Sequence, residues 1–449
     1  MSSGAHGAAA SSVLYFRAHP VKRVGGVIDV PGDKSISHRA LMLAAIASGE
    51  TTIRGFLRSE DCIATRRALE ALGVRIADAG GDVVRVTGGG ANGLRPPTGP
   101  LDLGNSGTAI RLMAGLLAAQ PFDSTLTGDA SLRQRPMERV AAPLRAMGAR
   151  IATHDGGAPL EITGGARLEG IDYALPIASA QIKSALLLAA LHAHGSTTVR
   201  SPGPSRDHTE RMLKSMGARI ETADDGRTVS LEGPQALHAA EIDVPGDLSS
   251  AAFFLVAGCL GAADGLLLRN VGVNPTRLGL LTILGAMGAR IEIRNPRMAG
   301  TEPVADLHVE QVELKGTDVP PELVPLAIDE FPILFVAAAG ARGPTIVRGA
   351  DELRHKESDR LAVMAKGLAT LGVRVEERPA GIIIEGGRLS GGTVDSHGDH
   401  RVAMSFAVAS LISEGPIDIR DTAQVATSFP SFARVAAGAG LRVEERDSV

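Results

Sequence analysis

Gly73-Val74-Arg75-Ile76 and Gly148-Ala149-Arg150-Ile151 are the first two of six copies of one phrase: glycine, an apolar residue, arginine, then Ile or Val. The others are Gly217-Ala218-Arg219-Ile220, Gly288-Ala289-Arg290-Ile291, Gly372-Val373-Arg374-Val375 and Gly440-Leu441-Arg442-Val443. Successive glycines lie 75, 69, 71, 84 and 68 residues apart. That spacing is too regular for chance and longer than the roughly 20 to 50 residues of solenoid repeats. It reads as one folding unit used six times.

Before five of the glycines apolar residues fall at helical spacing, as in Val140, Leu144 and Met147 or Leu361, Met364 and Leu368. Glycine takes the left-handed conformation that ends a helix without a Cβ penalty, and the β-branched residue three places on opens an extended segment. A second alternating run follows in five units, ending at Gly88, Gly164, Gly233, Gly316 and Gly386. Each unit therefore mixes helices with a small sheet, and the expected class is α/β.

The sixth copy ends the chain before its second run. Ile28-Asp29-Val30-Pro31-Gly32 near the N-terminus is a spare run that can complete it. The same stretch, with Asp33, recurs 214 residues later as Ile242-Asp243-Val244-Pro245-Gly246-Asp247. Proline suits a strand exit better than a central strand, so the two echoes are read as crossings between domains. Residues 1–32 plus 245–449 are expected to form a discontinuous domain of three units, and residues 33–244 an inserted domain of three.

With 449 residues, 44% of them hydrophobic, the chain can bury two ordinary cores. A formal charge of −4 gives no basic field for nucleic acid or a membrane surface. Cys62 and Cys259 stand in apolar helical contexts without partner spacing, which fits a reducing cytosol. Met1 to Ser12 is rich in Gly, Ala and Ser, lacks the apolar core of a signal peptide and reads as a disordered arm. Apolar runs such as Ala251 to Leu260 are too short to span a bilayer. A cytoplasmic monomer is expected.

Basic residues gather in a few segments that open apolar helices. Pro31-Gly32-Asp33-Lys34-Ser35-Ile36-Ser37-His38-Arg39 sets Lys34 and Ser35 near a helix N-terminus, which favours an anion, although Ser35 can equally be a plain N-cap. Gly104-Asn105-Ser106-Gly107-Thr108 allows close approach to backbone. Arg133 and Arg135 precede Pro136, and either can grip an anion bidentately or equally be a solvated side chain. Ser179-Ala180-Gln181 offers groups suited to sugar or cyclitol hydroxyls. Asp207 and Glu210 stand at capping-box spacing beside Arg206, so the acids are read as caps and Arg206 as the ligand candidate.

In the second half Asp329 and Glu330 sit amid apolar sequence, where charge is costly and often functional. Glu352 to Arg360 alternates charge at a helix start and reads by default as a solvated face. Asp399-His400-Arg401 feeds another apolar helix; no third ligand recurs at useful spacing, so no metal is expected.

These segments, in this order, resemble the enolpyruvyl transferases, most closely the EPSP synthases. The strongest elements are Pro31 to Arg39, Gly104 to Thr108, Arg135-Pro136-Met137, Lys356-Glu357-Ser358-Asp359-Arg360, Asp399-His400-Arg401 and Ser428-Phe429-Pro430. The resemblance implies two inverted α/β barrels of three βαβαββ-type repeats each, closing about a two-crossover hinge. It implies a cofactor-free reaction of the shikimate pathway, leading to chorismate and aromatic amino acids. In that reaction the 5-hydroxyl of shikimate 3-phosphate attacks C2 of phosphoenolpyruvate and phosphate leaves.

By resemblance Lys34, Ser35, Arg39, Ser179, Ala180, Gln181, Arg206, Asp329 and Lys356 bind shikimate 3-phosphate. Lys34, Gly107, Arg135, Gln181, Arg360 and Arg401 bind phosphoenolpyruvate. Glu357 is expected to exchange a proton at the methylene carbon, Asp329 to take the hydroxyl proton and Lys34 to meet the phosphate charge. Two features depart from the pattern. Thr427 stands where many relatives carry lysine, and Leu112 stands where the glyphosate-sensitive type has proline. With Gly107 pointing the other way, weak or intermediate sensitivity to glyphosate is expected. The sister enzymes acting on UDP-N-acetylglucosamine use a cysteine in the loop matching Gly128 to Pro136, which has none here. A non-catalytic scaffold for phosphorylated ligands is the other reading, and Glu357 discriminates against it.

Overall fold

The computed structural model describes residues 14–447, so the arm read over Met1 to Ser12 falls outside the described residues. All six glycines adopt positive φ, between 84° and 102°. Each ends a helix with the same two hydrogen bonds. Gly73 N–H donates to the Glu70 carbonyl and Val74 N–H to Leu69; Gly440 and Leu441 repeat this with Ala437 and Ala436. This is the Schellman closure. The apolar residue after the glycine packs inward, Val74, Ala149, Ala218, Val373 and Leu441 being buried. The arginine that follows opens the next strand, as Arg75, Arg150 and Arg374 do.

These caps allow a graded test. A Cβ on Gly288 meets nothing within 4 Å, whereas one on Gly148 lies 2.8 Å from the Arg167 carbonyl oxygen. Gly288→Ala should cost only the left-handed conformation, about 1–2 kcal/mol. Gly148→Ala should cost more, read as the larger loss in denaturant unfolding.

The element order in every unit is helix, strand, helix, hairpin, with a further parallel strand added at the sheet edge by a connecting segment or, in one unit, by two isolated bridges. In the third unit, for example, Asp172–Ala174 pairs parallel with Gly195–Arg200, which pairs antiparallel with Thr228–Gly233. The α/β class holds. Six open sheets of three to five strands replace the expected closed barrels, because hydrogen bonding stops at the edge of each unit's own hairpin.

Two strand readings change. The sixth hairpin is completed by Leu14–His19, which pairs with both Arg442–Asp447 and Ile417–Arg420 and turns Phe16 and Ala18 into the core. The spare run instead supplies Gly26–Asp29, parallel to Leu266–Gly272. Both ends of the described chain therefore share one sheet, by a different strand. In the fourth unit the return strand is Glu302–Glu310, not Val312 to Gly316, because its partner Arg290–Ala299 runs ten residues. This longer hairpin accounts for part of the 84-residue interval.

Buried apolar side chains form two cores. One runs from Ile36 to Val244; the second joins Phe16, Ala18, Val24 and Ile28 to residues from Leu248 to Leu441. At the crossings Asp33 N–H donates to the Pro245 carbonyl and Asp247 N–H to Pro31, both at 2.8 Å. Lys34–Ile46, Gly107–Leu117 and Ala180–Ala190 in the first core, and Leu248–Gly261, Phe331–Ala339 and His400–Ala409 in the second, are apolar on nearly every side and correspondingly buried. Among the described residues no helix is long and apolar enough to cross a membrane.

Candidate active site

The N-terminal ends of those six buried helices converge on one cavity of about 270 Å³, whose wall includes Lys34, Gly107, Ala180, Ser249, Asp329 and Arg401. Five starts are capped by a side chain: Asp33, Ser106, Ser179, Asp247 and Asp399 each accept from backbone N–H groups of the following turn. Convergent helix starts favour an anion. The side chains add to this, with eight Lys and Arg residues in the wall against five Asp and Glu. A chain of net charge −4 thus reverses sign at its cavity.

Lys34 Nζ lies 2.9 Å from Asp61 Oδ2. Gln181 is clamped, accepting from Arg111 Nη1 at 2.6 Å and donating to Thr108 Oγ1 at 2.9 Å. Arg206 donates to Ser35 Oγ at 3.4 Å and to Asp329 Oδ2. Lys356 approaches Asp329 at 3.5 Å, and Arg401 donates to the Asp329 carbonyl at 3.0 Å. Within the cavity wall three ion pairs reach from one core to the other: Arg206 with Asp329, Arg135 with Glu357 at 3.8 Å, and Arg139 with Glu352 at 3.3 Å.

Burial would raise the pKa of Glu357, but Arg360 at 2.7 Å and Arg135 outweigh it and hold the carboxyl well below its usual range. Asp329 is likewise held low against burial by Lys356, Arg206, Arg401 and Arg360. Both are carboxylates at neutral pH. Asp61 goes the other way, raised chiefly by burial, and its Oδ1 has no hydrogen-bond partner. His400 is kept neutral by burial and by Lys34, and neither ring nitrogen finds a partner.

The low carboxyl pKa values tie stability to pH. A depressed carboxyl stabilises the fold above its unfolded value, near 4.5 for Glu357 and 3.8 for Asp329, and loses that contribution as pH falls through the folded value. His400 adds an earlier loss, because below about 6.5 the unfolded imidazole takes a proton that the buried ring refuses. Melting temperature should therefore begin to fall below about pH 6.5 and fall more steeply below about 4.5.

Of the expected site residues, Arg39 and Arg360 do not line the cavity. Arg39 lies behind Ser35, donating to its carbonyl, to Thr209 Oγ1 and to Ser184 Oγ, and burial lowers its pKa to about 10. Arg360 is 1% exposed, gripping Asp399 at 2.8 Å and Glu357, with Nη1 left without a hydrogen bond. The Glu352 to Arg360 segment is thus a packed wall, not a solvated face. Asp207 does not cap its helix: its carboxylate accepts from Asn274 and Arg211, while Glu210 pairs with buried Lys183. Thr427 Oγ1 donates to the Gln424 carbonyl and adds nothing to the wall.

Sequence reasoning missed Asp61, Arg111, Arg139, Glu352 and Arg277. Asp61 in a helix's first turn looks like any first-turn acid. Arg277, 3% exposed, joins Asp33 at 2.8 Å, Asp247 at 3.3 Å and Ser249 at 2.7 Å, tying together the helix starts at both crossings. Among the described residues no group of three or more His, Cys, Asp or Glu is arranged to hold a metal.

The family model for EPSP synthase (3-phosphoshikimate 1-carboxyvinyltransferase) matches residues 18–435. The chain belongs to the EPSP synthase family. It is 56% identical over 432 residues to the 3-phosphoshikimate 1-carboxyvinyltransferase of Methylococcus capsulatus, covering 96% of this chain and 98% of that one. The enzyme of the same name from Acidithiobacillus ferrooxidans is 55% identical over 429 residues, with the same coverage. A solved EPSP synthase from Acinetobacter baumannii superposes with a TM-score of 0.86 at 49% identity, over 96% of this chain and all of that one. The enolpyruvyl transferase NikO from Streptomyces tendae shares the fold, with a TM-score of 0.79 at 18% identity over 98% of this chain and 100% of that one.

Proposed function

We infer that the chain is a transferase that moves the enolpyruvyl group of phosphoenolpyruvate to the 5-hydroxyl of shikimate 3-phosphate and releases phosphate. Membership of the EPSP synthase family supports this. The observation that carries it is the cationic cavity at six helix starts with two ionised carboxylates inside. Both substrates bring phosphate and carboxylate to that cavity, and charge-assisted hydrogen bonds of about 1.5–3 kcal/mol each are available there.

Lys34, Ser35, Arg39, Ser179, Ala180, Gln181, Arg206, Asp329 and Lys356 are assigned to shikimate 3-phosphate. Lys34, Gly107, Arg135, Gln181, Arg360 and Arg401 are assigned to phosphoenolpyruvate. Arg39 and Arg360 act from behind the wall unless the cavity opens further. The residues supplying these groups come from both cores, which supports a division into domains 1–32 plus 245–449 and 33–244. Three open sheets would wrap the buried helices of each domain, and the paired crossings would serve as the hinge. Free, buried Cys62 and Cys259 suit a cytoplasmic enzyme, which we take to be a monomer.

In the first step the hydroxyl oxygen bonds to C2, its proton passes to Asp329, and protonated Glu357 delivers a proton to the methylene carbon, giving a methyl group. In the second step Glu357 removes a methyl proton, the double bond re-forms, and the C2–O bond to phosphate breaks. Phosphate departs towards Lys34, taking the proton held by Asp329. Glu357 is ionised beside these cations, so the substrate's own charge must raise it: phosphoenolpyruvate neutralises Arg135, Arg360 and Lys34, which hold it low. Run in D₂O, the reaction should place deuterium on the vinyl carbon of the product. A vinyl ether with no deuterium would rule out the methyl intermediate.

A methyl group on Gly107 would sit 3.0 Å from Arg135 Nη1 and 3.2 Å from Arg111 Nη1. Any ligand of the phosphoenolpyruvate site should feel that change. For glyphosate the unaltered chain is expected to show weak or intermediate inhibition, and a sub-micromolar constant competitive with phosphoenolpyruvate would refute it.

A further inference from the structure

We propose that the tip of the long fourth hairpin, Arg290–Ala299 with Glu302–Glu310, is a positioning device that reaches from the second core to set Arg206, and through it the phosphate of shikimate 3-phosphate. The proposal rests on the assignment of Arg206 given above. The outer strands of the other five hairpins have three to six residues; this one has ten. Register shifts between Arg294 and Arg297 and between Leu268 and Val271, with Asn295 and Asn270 at φ 49° and 53°, bend its distal half.

The bent tip lands on the segment that carries Arg206. Glu302 Oε1 lies 2.8 Å from His208 Nδ1, and Oε2 accepts from Asn274 Nδ2 at 3.0 Å. The same Asn274 nitrogen donates to Asp207 Oδ1 at 2.7 Å. Arg211 ties Asp207 to the tip, donating from Nε to Asp207 at 2.8 Å and from Nη1 to the Thr301 carbonyl at 3.1 Å. Asp207 and His208 directly follow Arg206, whose guanidinium reaches Ser35 and Asp329 in the cavity. The residue that both cores share in the cavity is thus anchored from behind by both cores.

A strut alone would not need this chemistry. Glu302, His208 and Asn274 are 2–3% exposed, and among the described residues Glu302 has no Lys or Arg within ion-pair distance. Burying a carboxylate on a histidine and an amide is costly where apolar packing would hold two surfaces together. What the polar arrangement adds is direction: it fixes the carboxylate of Asp207 and hence the path of the backbone into Arg206.

Steady-state kinetics of Glu302→Gln, Glu302→Ala and Arg211→Ala test this. The expected result is a rise in KM for shikimate 3-phosphate, about tenfold for Glu302→Ala, as for loss of a hydrogen bond to a charged group. A smaller rise is expected for the other two, with kcat and KM for phosphoenolpyruvate within about twofold of the parent. Arg211 is partly exposed and outside the buried cluster, so its variant remains informative if Glu302→Ala does not fold. An unchanged KM for shikimate 3-phosphate in Arg211→Ala and Glu302→Gln, with or without a lower melting temperature, overturns the proposal. If the unaltered chain releases no phosphate from the two substrates, the functional reading fails instead.

Discussion

Glu357→Gln should lower kcat by about 10²- to 10⁴-fold, the usual contribution of a positioned acid or base, while leaving both substrates able to bind. The side chain keeps its size and an oxygen for Arg360, at 2.7 Å, but no longer carries a proton to the methylene carbon or removes one from the methyl group. It also loses the negative charge that engages Arg135 and Arg360. Those cations become freer for the incoming phosphate, so the dissociation constant of phosphoenolpyruvate measured beside shikimate 3-phosphate should stay level or fall. Deuterium exchange at the vinyl carbon should disappear with turnover. Unchanged phosphate release would remove Glu357 from the mechanism and return the segment to a structural role.

Asp329→Asn should reduce kcat by a similar factor, through loss of the group that accepts the hydroxyl proton. The effect on binding has the opposite sign to the usual expectation for a contact residue. Asp329 engages Arg206 and Lys356 and draws Arg360 to within 3.7 Å. Removing its charge frees cations for an anionic ligand. Calorimetry should therefore show shikimate 3-phosphate bound as tightly or more tightly, with turnover largely gone. Weaker binding with kcat within tenfold of the parent would reduce Asp329 to its binding role alone and leave the hydroxyl proton to another group.

The repeat was legible because helix termination is a local problem. A left-handed glycine followed by a buried apolar residue needs only adjacent positions, so six copies show in the chain and all six form the same cap. Strand partners are not local, and the errors fell there. Val312 to Gly316 alternates as a return strand should, but the ten-residue Arg290–Ala299 strand carries the hairpin past it. Ile28 to Gly32 alternates equally well, yet its chain must leave for the first core, so it joins a sheet edge in parallel and Leu14–His19 takes the expected place.

The site was legible where a charged or small residue opens an apolar helix, as Lys34, Gly107, Ala180 and Arg401 do. It was hidden where two distant segments share a charge. Asp61 acquires meaning through Lys34, Arg139 through Glu352, and Arg277 through carboxylates on both crossings, separated by up to 244 residues. The capping-box spacing of Asp207 and Glu210 misled because tertiary partners, Asn274 and Lys183, outcompeted the local backbone N–H groups for both carboxylates.

The central claim is that one cationic cavity joins two anionic substrates through Glu357 and Asp329, and phosphate release tests it most directly. Purified chain should liberate one phosphate per phosphoenolpyruvate consumed when shikimate 3-phosphate is present, none when either substrate is omitted, and at most about a hundredth of the rate with Glu357→Gln. Phosphate release that proceeds without shikimate 3-phosphate, or no release from the complete mixture, would contradict the account.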